Sequence, residues 1–146
     1  IIMADLTYTN FYKLLLSGTV DLVNDPVYAM LVSGSYVPST GHKLHAEVSG
    51  HQVTDPLGSY TKGGKLLAGK YAALTTDGFA IFDANDATWT NSTITASGVV
   101  IWTSGASAAA HHLVCFVDLG GNQTSTNATF SVIWNNTYGV YRIGNS

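Results

Sequence analysis

The apolar positions change period once, near residue 19, and the change divides the chain into a short helical start and a β remainder. Phe11, Leu14 and Leu15 fall at i, i+3 and i+4, with Leu16 beside them, which places them on one helical face. Thr7 or Thr9 is positioned to cap this helix, and Gly18 to end it in a left-handed turn. The expected role of so short a helix is to cover an end or edge of a sheet. The sharper alternative is an arm docked on a neighbouring subunit.

Beyond Thr19 the pattern is that of strands. Asp25-Pro26 opens a turn, and the run from Val27 to Val32, closed by Ser33-Gly34, predicts a buried strand. Residues 35–65 carry Pro38, Gly41, Gly50, Pro56, Gly58, Gly63 and Gly64 and predict a long loop region, with one helical turn within His42 to Val48. A loop of this length in a small domain is usually functional or interfacial. Leu66 to Thr75 then leads through Asp77-Gly78, a hairpin signal, into Phe79–Phe82. Thr88-Trp89 predicts a short strand, and Thr93 to Thr103 a longer one bent at Gly98. Leu113 to Leu119 predicts another strand, Gly120 to Asn127 a loop, and Phe130, Val132 and Trp134 share one face of the next strand. The last strand falls within Tyr138 to Ile143. Seven or eight short strands with turns between them predict an all-β fold: an antiparallel β-sandwich, jelly-roll-like, with one short N-terminal helix, spanning 1–146 as one domain with an arm and helix at 1–18. Trp89, Trp102 and Trp134 are the expected core anchors, each buried indole N–H requiring an acceptor.

Composition alters this picture in one respect. Only 10% of the residues are charged, and Thr, Ser, Asn and Gly supply the polarity instead. Short neutral side chains suit a surface that a neighbour covers, where a buried charge is costly. Net charge is −3 with Lys and Arg scattered singly, so a nucleic-acid footprint is not expected. No apolar stretch is long enough for a membrane span, and the start lacks the basic and apolar regions of a signal peptide. Either Met3 is the start of the chain or residues precede Ile1. Sequons at Asn91, Asn122, Asn127 and Asn135 matter only in a eukaryotic secretory setting.

Candidate chemistry is sparse. Cys115, the lone cysteine, sits in the apolar run Leu113–Val117 and reads as a buried spectator. Asp83, Asn85 and Asp86 group oxygens as a Ca²⁺ loop does but lack the EF-hand spacing and its terminal Glu, so a plain turn is expected. His42, His45, Glu47 and His51 lie close in sequence without a zinc signature, and His111-His112, adjacent on a strand, point to opposite faces. Gly63-Gly64-Lys65 precedes a strand where a phosphate loop must open a helix. No nucleophile elbow or pair of acids flanking a cleft is evident, and neither a catalytic nor a metal nor a cofactor site is assigned. The expectation is a protein that is not an enzyme.

The order of segments resembles a family of small virion structural proteins of tailed bacteriophages. The resemblance rests on Tyr8–Gly18, Val20-Asp21-Leu22, Val27–Val32, Ser35–Pro38, Glu47–Gly50, the "YxxGGxxL"-like Tyr60–Leu67, the distinctive Phe82–Ala96, then Val99–Trp102, Val117–Gly120 and Phe130–Trp134. It covers nearly the whole chain and carries no catalytic residues. It implies a phage particle component: most simply a capsid decoration (cement) protein, forming a homo-oligomer, most simply a trimer, whose partners are the major capsid protein or other virion proteins. The alternative it implies is a tail-associated or fibre module binding a host glycan or another tail protein. The expected location is the virion.

Overall fold

A computed structural model describes residues 4–144; Ile1–Met3, including the candidate start at Met3, lie outside the described residues. The chain builds two antiparallel sheets and one helix, as the sequence predicts for an all-β, sandwich-like fold. Strand β1 (Leu6–Thr7) leads into α1 (Thr9–Leu16), followed by β2 (Val27–Val32), β3 (Lys65–Leu66), β4 (Tyr71–Leu74), β5 (Phe79–Asp83), β6 (Ala87–Thr103), β7 (His112–Val132) and β8 (Tyr141–Gly144). The larger sheet has the order β1-β7-β6-β2-β3 and the smaller the order β4-β5-β8.

The centre of the larger sheet is buried on both faces, and its strands are continuously apolar there. Ala29, Ile101 and Cys115 form one cross-strand row, and Met30, Val100 and Phe116 the next. Successive rows face opposite sides. Val27, Ala29, Leu31, Val99, Ile101 and Val117 join the main core with Phe82, Tyr141 and the helix residues Phe11 and Leu14. Met30, Val32, Val100, Trp102, Leu113 and Phe116 face the other way and pack with Tyr8, Tyr36 and Val48 in a second cluster. The cover on that second face is the loop region predicted at 35–65. Its predicted helical turn is present as the 3₁₀ turn His45–Glu47, and a second, unpredicted one follows at Ser49–His51. The loop is fixed by its polar groups: the Asp55 carboxylate accepts from the N–H groups of Leu57, Ser59, Tyr60 and Thr93, tying it to the side of β6.

Three local expectations are corrected. The cap of α1 is Tyr8, with no side-chain cap bond, in place of Thr7 or Thr9. The separate strands expected at Thr88-Trp89 and Thr93–Thr103 are one strand, β6. The strand, loop and strand expected over 113–134 are likewise one strand, β7, ending at Val132. Both run through irregularities that break the ladder locally without ending it. Asn91, Asn127, Gly120 and Gly121 take positive φ, and Leu119–Asn122 stand opposite Ser97 alone. The bend expected at Gly98 is among these register shifts. A Cβ there would lie 2.3 Å from the Phe116 ring.

Candidate functional site

Helix α1 is amphipathic, and its C-terminus sets one wall of an open groove. Phe11 and Leu14 turn into the core. Gly18, at φ 71, stops the helix as expected: its N–H donates to Leu15 O and that of Thr19 to Leu14 O, a Schellman arrangement. The chain then folds back over residues 19–25 around Asp21, whose carboxylate accepts from Val23 N, Asn24 N and Asn24 Nδ2. The Asn24 amide holds the Asp21 carboxyl below its ordinary range. This turn tucks Val20 and Leu22 inward and leaves Val23 outward.

The opposite wall is the smaller sheet. Register places Ala72, Phe82 and Tyr141 in one cross-strand row and Leu74, Ala80 and Ile143 in the next row on the same face. The first row reaches the core through Phe82 and Tyr141. The second row runs past the cover: Leu74 is 86% exposed and Ile143 45%. The inner face of the smaller sheet is therefore longer than what packs on it. Between the walls lies an open groove of about 430 Å³, lined by Leu15, Val20, Leu22, Ala72, Ile81 and Ile143 among others. The charged group in its lining, Asp21, has its carboxylate turned onto its own loop. Leu16, 91% exposed, stands at the end of α1 beside Leu15.

The rim of the groove is an edge strand. All four residues of β4 are exposed, and β4 has no partner on its outer side among the described residues. The other edges of the fold are managed differently. The larger sheet ends in two-residue strands, β1 and β3, and a short edge strand is a poor template for further pairing. The outer face of the distal β6–β7 hairpin is also exposed, but it is lined by Thr88, Thr95, Thr124 and Ser131, and its surface is wet where the groove's is apolar.

The residues considered for chemistry are otherwise employed. Asp83 accepts from Ala84 N and the Tyr71 hydroxyl, and Asp86 accepts from Trp134 N, so this segment is the turn between β5 and β6. Among the described residues no three His, Cys, Asp or Glu side chains converge as a metal would require. Cys115 is buried, and burial pushes its thiol pKa up, which leaves it protonated and unreactive. Trp102 Nε1 donates to Gly63 O and Trp134 Nε1 to Asn85 O, meeting the expected need for an acceptor at two of the three indoles. Gly64 takes φ 88 with its backbone packed against Ala29, so the Gly63-Gly64 pair is a structural turn before β3. The groove itself was not legible in the sequence, because its walls come from segments whose register only the folded sheet defines.

Comparison with protein-family models, with curated proteins and with solved structures found no match for this chain.

Proposed function

We propose that this chain is a structural component of a phage particle, a capsid decoration protein that acts by burying its own surface against neighbouring virion subunits. The observation that carries the reading is the apolar groove with its open edge strand β4. A row of Leu74, Ala80 and Ile143 left uncovered, with Leu15 and Val23 in the same groove as Ala80 and Ile143, is the kind of apolar surface that marks a protein-binding site. The free N–H and C=O groups of β4 add the means to continue a sheet into a neighbour. The scarcity of charge and the segment order that resembles tailed-phage virion proteins support the same setting. A decoration protein stabilises a shell by mass action, binding the assembled form in preference to its parts. A closed trimer satisfies the symmetry such contacts require. The tail-fibre alternative calls for Tyr and Trp exposed together at one end, and it has less support because Trp89, Trp102 and Trp134 are all buried.

The test is to add the purified chain to phage particles that lack it and to image them. The expected result is a regular array of the chain on the shell and a higher temperature of particle disruption. Leu74→Asp and Leu16→Asp should weaken both. A chain that stays off the shell, or that occurs only at the tail, overturns the reading.

A further inference from the structure

Three of the five histidines, His42, His45 and His51, lie in the strap of residues 40–52 that covers the second face of the larger sheet, and His111 meets it from just before β7. Two backbone bonds hold the strap to β7: His45 N donates to His111 O at 2.9 Å, and Leu113 N to Lys43 O at 2.9 Å. Its ends are tied by Thr9 N to Thr40 O at 3.0 Å and by Ser33 N to His51 O at 2.9 Å. Val48 is its buried apolar anchor. Around Trp102 three rings gather: Tyr28 stacks at 4.8 Å, His45 packs at 4.2 Å and His111 at 5.3 Å, with His45 and His111 6.0 Å apart. Further along, Tyr36 bonds the Tyr8 hydroxyl at 2.8 Å and His42 Nδ1 at 2.9 Å, and packs on His51.

The buried side-chain atoms that lack a hydrogen-bond partner among the described residues are both imidazole nitrogens, His45 Nε2 and His112 Nδ1. A neutral imidazole can leave one nitrogen as an unprotonated acceptor, whereas an imidazolium must place a donor on both. Protonation of either ring therefore sets a charged N–H where no acceptor faces it, and a buried unpaired donor is destabilising.

The charged and titratable groups around the two rings offer no relief. Within the strap, the Glu47 carboxylate is engaged by the N–H groups of Lys43 and Leu44. Lys43 and His42 are the strap's other groups of this kind nearby. From just before β7 comes His111, and from β2 the Tyr28 phenol across Trp102, while the His112 ring points to the opposite face, into a cleft with Thr19 and Val20. Asp25 lines the same cleft as His112, but its carboxylate accepts from Asp21 N at 2.8 Å.

We propose that the strap is an acid-released cover: protonation of His45 detaches residues 40–52 from β7 and exposes the second apolar face, with Met30, Val100, Trp102 and Phe116. The direction of the titration agrees. Burial, with His111 nearby, lowers the pKa of both rings from the ordinary 6.5. A folded state that disfavours the protonated form loses nothing above that value. It loses stability as pH falls below it, until the folded state itself takes up the proton.

The experiment is hydrogen exchange on the whole chain at about pH 7.5 and about pH 5, with rates normalised for the intrinsic effect of pH. Protection at the His45 and Leu113 amides should fall about tenfold or more as the strap opens locally, while the amides of β5 hold. Substituting His45→Phe should flatten the response. Constant protection at the strap, an equal fall throughout β5, or a response retained in the substituted chain overturns the proposal. Imidazole NMR of the unsubstituted chain reads the same point without a variant: the His45 ring should titrate below 6.5, and titration at or above it overturns the proposal.

Discussion

The two sheets handle their apolar faces in opposite ways. The larger sheet is covered twice, by the smaller sheet and α1 on one side and by the loop region on the other, and its edges are cut to two residues. The smaller sheet is covered on part of one face, and its edge β4 is left open with every residue exposed. Strands of similar composition thus serve different ends. Ile101 and Leu74 are both strand aliphatics, yet one is sealed in the core and the other is 86% exposed. The difference teaches that an apolar residue at a strand position says how the strand pairs, and says little about whether its face is covered by the same chain.

Substitutions can sharpen this contrast. The largest expected effect is Ile101→Ala, at the centre of the larger sheet: removing a fully buried aliphatic should lower unfolding free energy by about 2–5 kcal/mol in urea denaturation. Next is Gly64→Ala. A Cβ there would fall 2.0 Å from Ala29 O, and the backbone stands at φ 88, so β3 must lift away from β2. A loss of about 1–3 kcal/mol is expected, together with faster hydrogen exchange at the amides of Lys65 to Leu67, as the closed edge begins to behave like the open one. The smallest effect is Leu74→Ser. Its unfolding free energy should stay within about 0.5 kcal/mol of the parent, while association through the groove weakens. A large loss of stability at Leu74 would mean that the groove is an internal core and would erase the contrast between the sheets.

Much of the local structure was legible because its signals are local. The spacing of Phe11 and Leu14, the stop at Gly18, the buried run Val27–Val32, the Asp77-Gly78 hairpin and the irregularity at Gly98 all follow from what neighbouring residues do to a backbone. Gly120, Gly121 and Asn127 misled because positive φ residues usually end strands, and here they bulge within one. The ladder between β6 and β7 resumes beyond each interruption, and that depends on a partner strand the local pattern does not reveal.

The sequence by itself determined the class of the fold: short apolar strand runs with turn residues between them build antiparallel sheets that must bury an apolar face against another layer. Only the tertiary structure decided that β3 and β4, nearly contiguous in the chain, belong to different sheets. It also decided that His45 and His111 meet on Trp102, and that the row of Leu74, Ala80 and Ile143 overruns its cover. The physical reason is the same in each case. Periodicity fixes which side of a strand a residue faces, but what lies on that side is set by long-range register and by the lengths of the elements that pack there.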